Sequence, residues 1–137
     1  MERKIILLAV GLLLSQLTGC WQTAVYDEKL TGPYHLSAID DYGQMSVCYV
    51  LEKEDSCIGR VDETVFSVGW NEQFIVAKQH PSGDRSVTYY FILEMKKDGV
   101  YADPGKSVTG PLSAVEYEKQ AKIKSLPTFT KTFEDLK

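Results

Sequence analysis

Between residues 34 and 94 the hydrophobic positions come in short runs of five to eight, each closed by glycine, proline, asparagine or acidic residues. Such runs, rich in β-branched and aromatic side chains, predict strands. They fall at 34–39 (YHLSAI), 45–51 (MSVCYVL), 57–61 (CIGRV), 65–70 (VFSVGW), 74–79 (FIVAKQ) and 87–94 (VTYYFILE). In the second run Met45, Val47, Tyr49 and Leu51 share one face. Asn71-Glu72-Gln73 has the length of a tight hairpin connection. The run at 87–94 is apolar almost throughout, which predicts burial on both faces, in a central strand or under a helix. Val100-Tyr101 reads as a short return strand, ADPGKSVTGP (102–111) as a loop, and TFTKTF (128–133) as a final edge strand.

One segment follows a different rule. LSAVEYEKQAKIKS opens with Ser113-x-x-Glu116, a capping box in which each side chain satisfies the other residue's free backbone N–H. Leu112 and Tyr117 are placed for the hydrophobic staple, Glu118 and Lys122 for an i,i+4 pair, and Pro127 ends the helix. The stripe Ala114, Tyr117, Ala121 is thin, so the helix, over about 112–125, should lie across a sheet. The connections are too short for parallel crossovers. The expected fold is α+β and mainly β: a curved or partly closed antiparallel sheet of about 6 short strands with one C-terminal helix.

The N-terminus is built otherwise. After Met1-Glu2-Arg3-Lys4, residues 5–14 carry no charge, and Leu17-Thr18-Gly19-Cys20 follows. A basic start, an apolar stretch and a small-residue site make a secretory signal. The apolar stretch is shorter than the ~20 residues a membrane-spanning helix needs. Leu17-Thr18-Gly19-Cys20 resembles the bacterial lipobox of lipoprotein signal peptides. The resemblance implies cleavage after Gly19, diacylglyceryl and further acyl chains on Cys20, and durable attachment to a membrane. Trp21, not an aspartate, follows the cysteine, which implies an outer membrane where the cell has one. The expected organisation is a removed signal at 1–19, a tether at 20–33 and a single domain at 34–137.

Composition narrows the partners. Without Glu2, Arg3 and Lys4 the chain keeps 13 basic and 18 acidic residues, a formal charge of −5. An acidic body argues against nucleic acid. Beside Cys20 there are two further cysteines, Cys48 and Cys57, nine positions apart around YVLEKEDS. In an exported protein an even pair reads as a disulfide joining two strands of a hairpin. A redox pair is disfavoured because Cys-x-x-Cys is missing, and a catalytic thiol is the other alternative.

Candidate chemistry is sparse. His35 and His80 have no ligand partner at i+2 or i+4, so no metal or other cofactor is expected. Asp40, Asp41, Asp98 and Asp103 lie beside turn residues without the calcium-loop pattern. There is no nucleophile elbow, phosphate loop or dinucleotide fingerprint. Glu63, Glu72 and Glu94 lie in or beside strands, where solvent-facing roles are the default. Eight tyrosines and two tryptophans suit a binding surface, for which Trp70, Phe74, His80 and Arg85 are the candidates. The alternative reading has Trp70 and Phe74 closing the core at the end of the sheet and the loop of His80 and Arg85 as mere connection.

Residues 60–93 resemble small bacterial lipoproteins of unknown function, in which a VGWN…FI.AK.HP stretch precedes a strand of the YYFIL kind. The resemblance implies the lipid anchor and a β-rich fold and brings no catalytic residues. The expected function is a non-enzymatic envelope module that binds a protein or ligand, of the immunity or inhibitor type. A structural or assembly lipoprotein, or a small hydrolase using spatially assembled carboxylates, are the alternatives.

Overall fold

The computed structural model describes residues 23–137. The lipobox, Cys20 and the cleavage site lie outside these residues. Among the described residues nine strands form two open antiparallel sheets. The first contains β1 (Tyr26–Thr31), β2 (Tyr34–Ala38), β3 (Ser46–Leu51) and β4 (Ser56–Val61), in that order. The second contains β5 (Val65–Trp70), β6 (Phe74–Gln79), β7 (Tyr89–Glu94), β8 (Val108–Leu112) and β9 (Lys131–Thr132), arranged β8-β7-β6-β5-β9. A short helix, α1 (Pro104–Ser107), precedes β8, and α2 (Ala114–Ile123) follows it. Among the described residues no helix is long and apolar enough to cross a membrane.

The mainly β, antiparallel architecture with a C-terminal helix is the one expected. The strands divide into two sheets at Asp62-Glu63-Thr64. Val61 still pairs with Val47 of the first sheet, whereas Val65 pairs with Gln79 of the second. Leu36, Met45, Val47 and Val61 meet Val68, Ile75, Ala77 and Leu93 in one shared core. The alternate residues of β6 and β7, Phe74, Val76 and Ile92, face the opposite way and pack with Tyr117 of α2. Burial on both faces explains the unbroken apolar run of β7.

The capping box of α2 is present as written: Glu116 N–H donates to Ser113 Oγ at 3.2 Å, and Ser113 N–H donates to the Glu116 carboxylate at 2.7 Å. Leu112 and Tyr117, the staple residues, join the same cluster. Of the stripe Ala114, Tyr117, Ala121, only Tyr117 is buried, and its ring lies 4.9 Å from that of Tyr90. The hairpin at 71–73 closes as its length requires. Asn71 Oδ1 accepts from the backbone N–H of Gln73 at 2.9 Å and of Phe74 at 2.8 Å.

Three local expectations change. The tether expected over 20–33 overlaps β1, which pairs with β2 from Tyr26↔Ala38 to Thr31↔Tyr34, so the folded body begins well before residue 34. Val100-Tyr101 is a turn, and the strand that returns along β7 is β8, within the segment read as a loop. β8 holds Gly110 and Pro111, which an edge strand tolerates because its outer N–H groups need no ladder partner. The last strand is at the edge, as expected, and only two residues long.

Cys48 and Cys57 are joined by a disulfide with Cα atoms 5.5 Å apart. They sit diagonally rather than opposite, Cys48 facing Gly59 and Cys57 facing Val50. This bridge closes a small loop at the outer edge of the first sheet. Replacing both cysteines by serine should lower unfolding free energy by about 2–3 kcal/mol, the chain-entropy value for so short a loop. Denaturant unfolding of the oxidised protein and the double variant measures it, and equal midpoints would show that the bridge adds nothing.

Candidate functional site

One opening of a size to take a ligand is formed by the β2–β3 connection and the C-terminal segment. Asp41 caps a 3-10 turn, its carboxylate accepting from Gly43 N–H at 2.7 Å, which fixes Tyr42 at the rim. After β9, Phe133 leads into a second 3-10 turn, Glu134–Leu136. Between them lies a groove of about 470 Å³ lined by Tyr42, Thr132, Phe133, Glu134, Asp135 and Leu136. Its size is within the range of small-molecule and peptide sites. Tyr26 of β1 joins the two walls, its ring 6.1 Å from Tyr42 and 5.3 Å edge-on from Phe133. A shallower depression of about 300 Å³ runs along α2 beside Val115 and Lys119.

The charges around the groove are paired by geometry. Lys131 Nζ bonds Glu28 and lies 5.5 Å from the Tyr26 ring and 5.6 Å from that of Phe133. The Lys131 ammonium holds the Glu28 carboxyl below the usual carboxylate range. Burial pushes the Tyr26 hydroxyl up, and its bond to Glu28 adds to that. Thr132 Oγ1, the aliphatic hydroxyl of the lining, is engaged with Ser67 Oγ at 2.7 Å. The groove thus offers aromatic contact and carboxylate acceptors, and its lining holds neither imidazole nor thiol.

The expected surface of Trp70, Phe74, His80 and Arg85 is not one surface. Phe74 is buried beneath α2, and Trp70 is half-buried against the core between the sheets. Of the tip residues, Glu72 and Gln73 are exposed, while the two rings pack inward at the end of the sheet. His80 lies at the other end of the β5–β6 hairpin, only 3% exposed. Its ring stacks on Phe66 at 4.1 Å, Nδ1 lies 2.7 Å from the Val87 carbonyl, and the buried Nε2 has no partner. Arg85 alone reaches the groove. It donates to the backbone carbonyls of Asp135 at 2.5 Å and Lys137 at 3.4 Å, and so secures the wall.

The carboxylates are likewise dispersed. Asp103 caps α1 by accepting from Gly105 N–H at 2.9 Å, and Glu94 pairs with Lys97 at 3.0 Å and Lys124 at 3.6 Å. His35 contacts Asp27 at 2.8 Å across β1 and β2. Among the described residues no three or more His, Cys, Asp or Glu side chains gather as metal ligands.

Asp98, which the sequence places in a simple turn, is the centre of a buried network. Its carboxylate accepts from Arg60 Nε at 2.7 Å, Tyr34 hydroxyl at 2.9 Å and Ser107 hydroxyl at 3.0 Å. The Asp98 side chain is fully buried and that of Arg60 is 1% exposed. Burial acts to raise the Asp98 carboxyl, but the three donors outweigh it and hold the group below the usual range. The same burial, with the Asp98 charge, pushes the Tyr34 hydroxyl well above its ordinary value. With every oxygen engaged, this carboxylate serves architecture: it ties the first sheet to the connection between β7 and β8.

Comparison with curated proteins and with solved structures returns no match. The pattern over 60–93 noted above lies inside a longer matched span. Residues 34–131 match a family described as "protein of unknown function (DUF3997)", and the chain belongs to that family.

Proposed function

We propose that this chain is a lipid-anchored protein of the bacterial cell envelope that acts without catalysis, as a binding module of the immunity or inhibitor type. Its anchor is the acylated thiol of Cys20, and its partner is an envelope protein or ligand rather than nucleic acid. The observation that carries the binding role is the groove between Tyr42 and residues 133–136, lined by two aromatic rings and two acidic residues. Aromatic anchors in concave surfaces are where interface energy concentrates. The Cys48–Cys57 disulfide agrees with an oxidising compartment. The carboxylate most displaced into the interior, Asp98, is saturated with donors, which leaves it unsuited to acid–base work.

The test is a crosslinking capture from the native envelope using the full chain. Crosslinks to the partner should map to Tyr42 or to residues 133–136. Tyr42→Ala and Glu134→Lys, both at exposed positions, should each lower recovery on the order of tenfold, the effect of removing an interface anchor. No stable partner, or recovery unchanged in both variants, would sink the reading.

A further inference from the structure

Several large apolar side chains remain exposed on the described body, and they are unevenly placed. Val25 is 44% exposed, Ile39 53% and Tyr42 53%, and all three lie at one end of the first sheet. Val25 N–H donates to the Ile39 carbonyl at 3.1 Å, so these two residues extend the β1–β2 ladder by one more pair. Opposed residues of an antiparallel pair project to the same side, which brings the two aliphatic side chains together. Tyr42 lies at the same end of the sheet, its ring 6.1 Å from that of Tyr26, which neighbours Val25 and projects to the opposite, core-facing side.

This end is also where the chain enters the folded body. Val25 is five residues after Cys20, and a fully extended chain covers at most ~3.6 Å per residue. An acylated Cys20 therefore holds Val25 within roughly 18 Å of the lipid. The other exposed apolar residues have no such proximity. Ile58 of β4 is level with Tyr49 and Tyr34, at the opposite end of β2. Val100 and Tyr101 follow Asp98, which bonds Tyr34 at that same end, while Val115 and Ile123 belong to α2 on the outer side of the second sheet.

We infer that the Val25–Ile39–Tyr42 end rests in the interface of the bilayer that carries the anchor, setting the body in one orientation on the lipid. This rests on acylation of Cys20. The chemistry suits the place: aliphatic side chains enter the acyl boundary, and a half-exposed tyrosine belongs at headgroup level. Asp40 and Asp41 sit between Ile39 and Tyr42 in sequence, so a zwitterionic surface is the matching one. In this orientation the groove, which shares Tyr42, opens beside the lipid and is presented to a partner at the membrane.

The experiment uses the full lipidated chain in phosphatidylcholine vesicles carrying a photoactivatable phospholipid, with adducts mapped by mass spectrometry. The expected result is labelling of peptides holding Val25, Ile39 and Tyr42 and little on those holding Tyr101, Val115 or Ile123. Ile39→Glu should reduce that labelling roughly fivefold by removing an aliphatic contact, at an unchanged melting temperature because the side chain is exposed. Even labelling of both sets, or labelling indifferent to Ile39→Glu, overturns the inference alone. An N-terminal peptide without acyl chains on Cys20 overturns it together with the anchor.

Discussion

Asp98→Asn is expected to lower unfolding free energy by about 3–5 kcal/mol, the penalty for leaving one member of a buried ion pair without its partner. The substitution keeps the shape of the side chain and removes its charge. Arg60 then has the carbonyls of Gly59 at 3.2 Å and Gly99 at 3.0 Å and the face of Tyr49 at 5.3 Å, none of which neutralises a guanidinium. Since small domains hold only ~5–15 kcal/mol in total, much of the stability rests here. Replacing both partners, as Arg60→Met with Asp98→Leu, should cost less than Asp98→Asn alone, because no charge is left buried. Denaturant melts of the wild type and the two variants decide the matter. A loss below about 1 kcal/mol for Asp98→Asn, the range of an exposed pair, would show that water reaches the site.

The same network sets an acid limb. The folded-state carboxyl lies below its unfolded value of about 3.9. Its contribution is therefore complete above that value and disappears as pH falls through the lower folded value. Asp98→Asn has no such proton to gain, so its stability should decline less steeply over that acid range than that of the wild type. The lowered carboxyls of Glu28, Asp84, Glu94 and Glu116 lie at more exposed positions, where solvent screens their pairs.

The parts of this fold that can be read from the chain are those whose cause is local. Val65–Trp70 and Phe74–Gln79 coincide with their runs because both faces are apolar and Asn71 closes the turn between them. Helix α2 is legible through Ser113 and Glu116. The unread strands are edges. β1 presents Asp27, Glu28 and Lys29 with Leu30 as its one buried residue, and charge along an edge looks like a polar linker unless its neighbour is known. The sites depend on longer distances still. Arg60 and Asp98 are 38 residues apart, and Tyr26 and Phe133 come from the two ends of the described chain. Nothing near either residue in sequence reports the other. The aromatic count announces a surface or a core without choosing, and burial assigned Phe74 and His80 to the interior.

Gly69→Ala should be strongly damaging for a change of a single methyl group, costing about 1–3 kcal/mol or more through overpacking. A Cβ at Gly69 would lie 1.9 Å from the Thr128 carbonyl oxygen, 2.8 Å from its carbon and 3.2 Å from Phe129 Cα. All three are backbone atoms, so no side chain can rotate away. Either β5 or the C-terminal segment must move, and the segment is held by less. It has two paired residues in β9, the Thr130 and Phe133 N–H bonds to β5, the Thr132–Ser67 and Lys131–Glu28 side-chain contacts and those of Arg85, whereas β5 is paired along its length with β6 and locked against the core. Displacing it strips Phe129 from the cluster under α2 and withdraws Phe133 and Leu136 from the groove. The variant should therefore show a lower melting temperature and rapid protease cleavage after about residue 126, with loss of the groove's partner in the capture assay. A lowered melting temperature with a protected C-terminus would mean that β5 yields instead. An unchanged one would refute the tight approach of Thr128 to the strand.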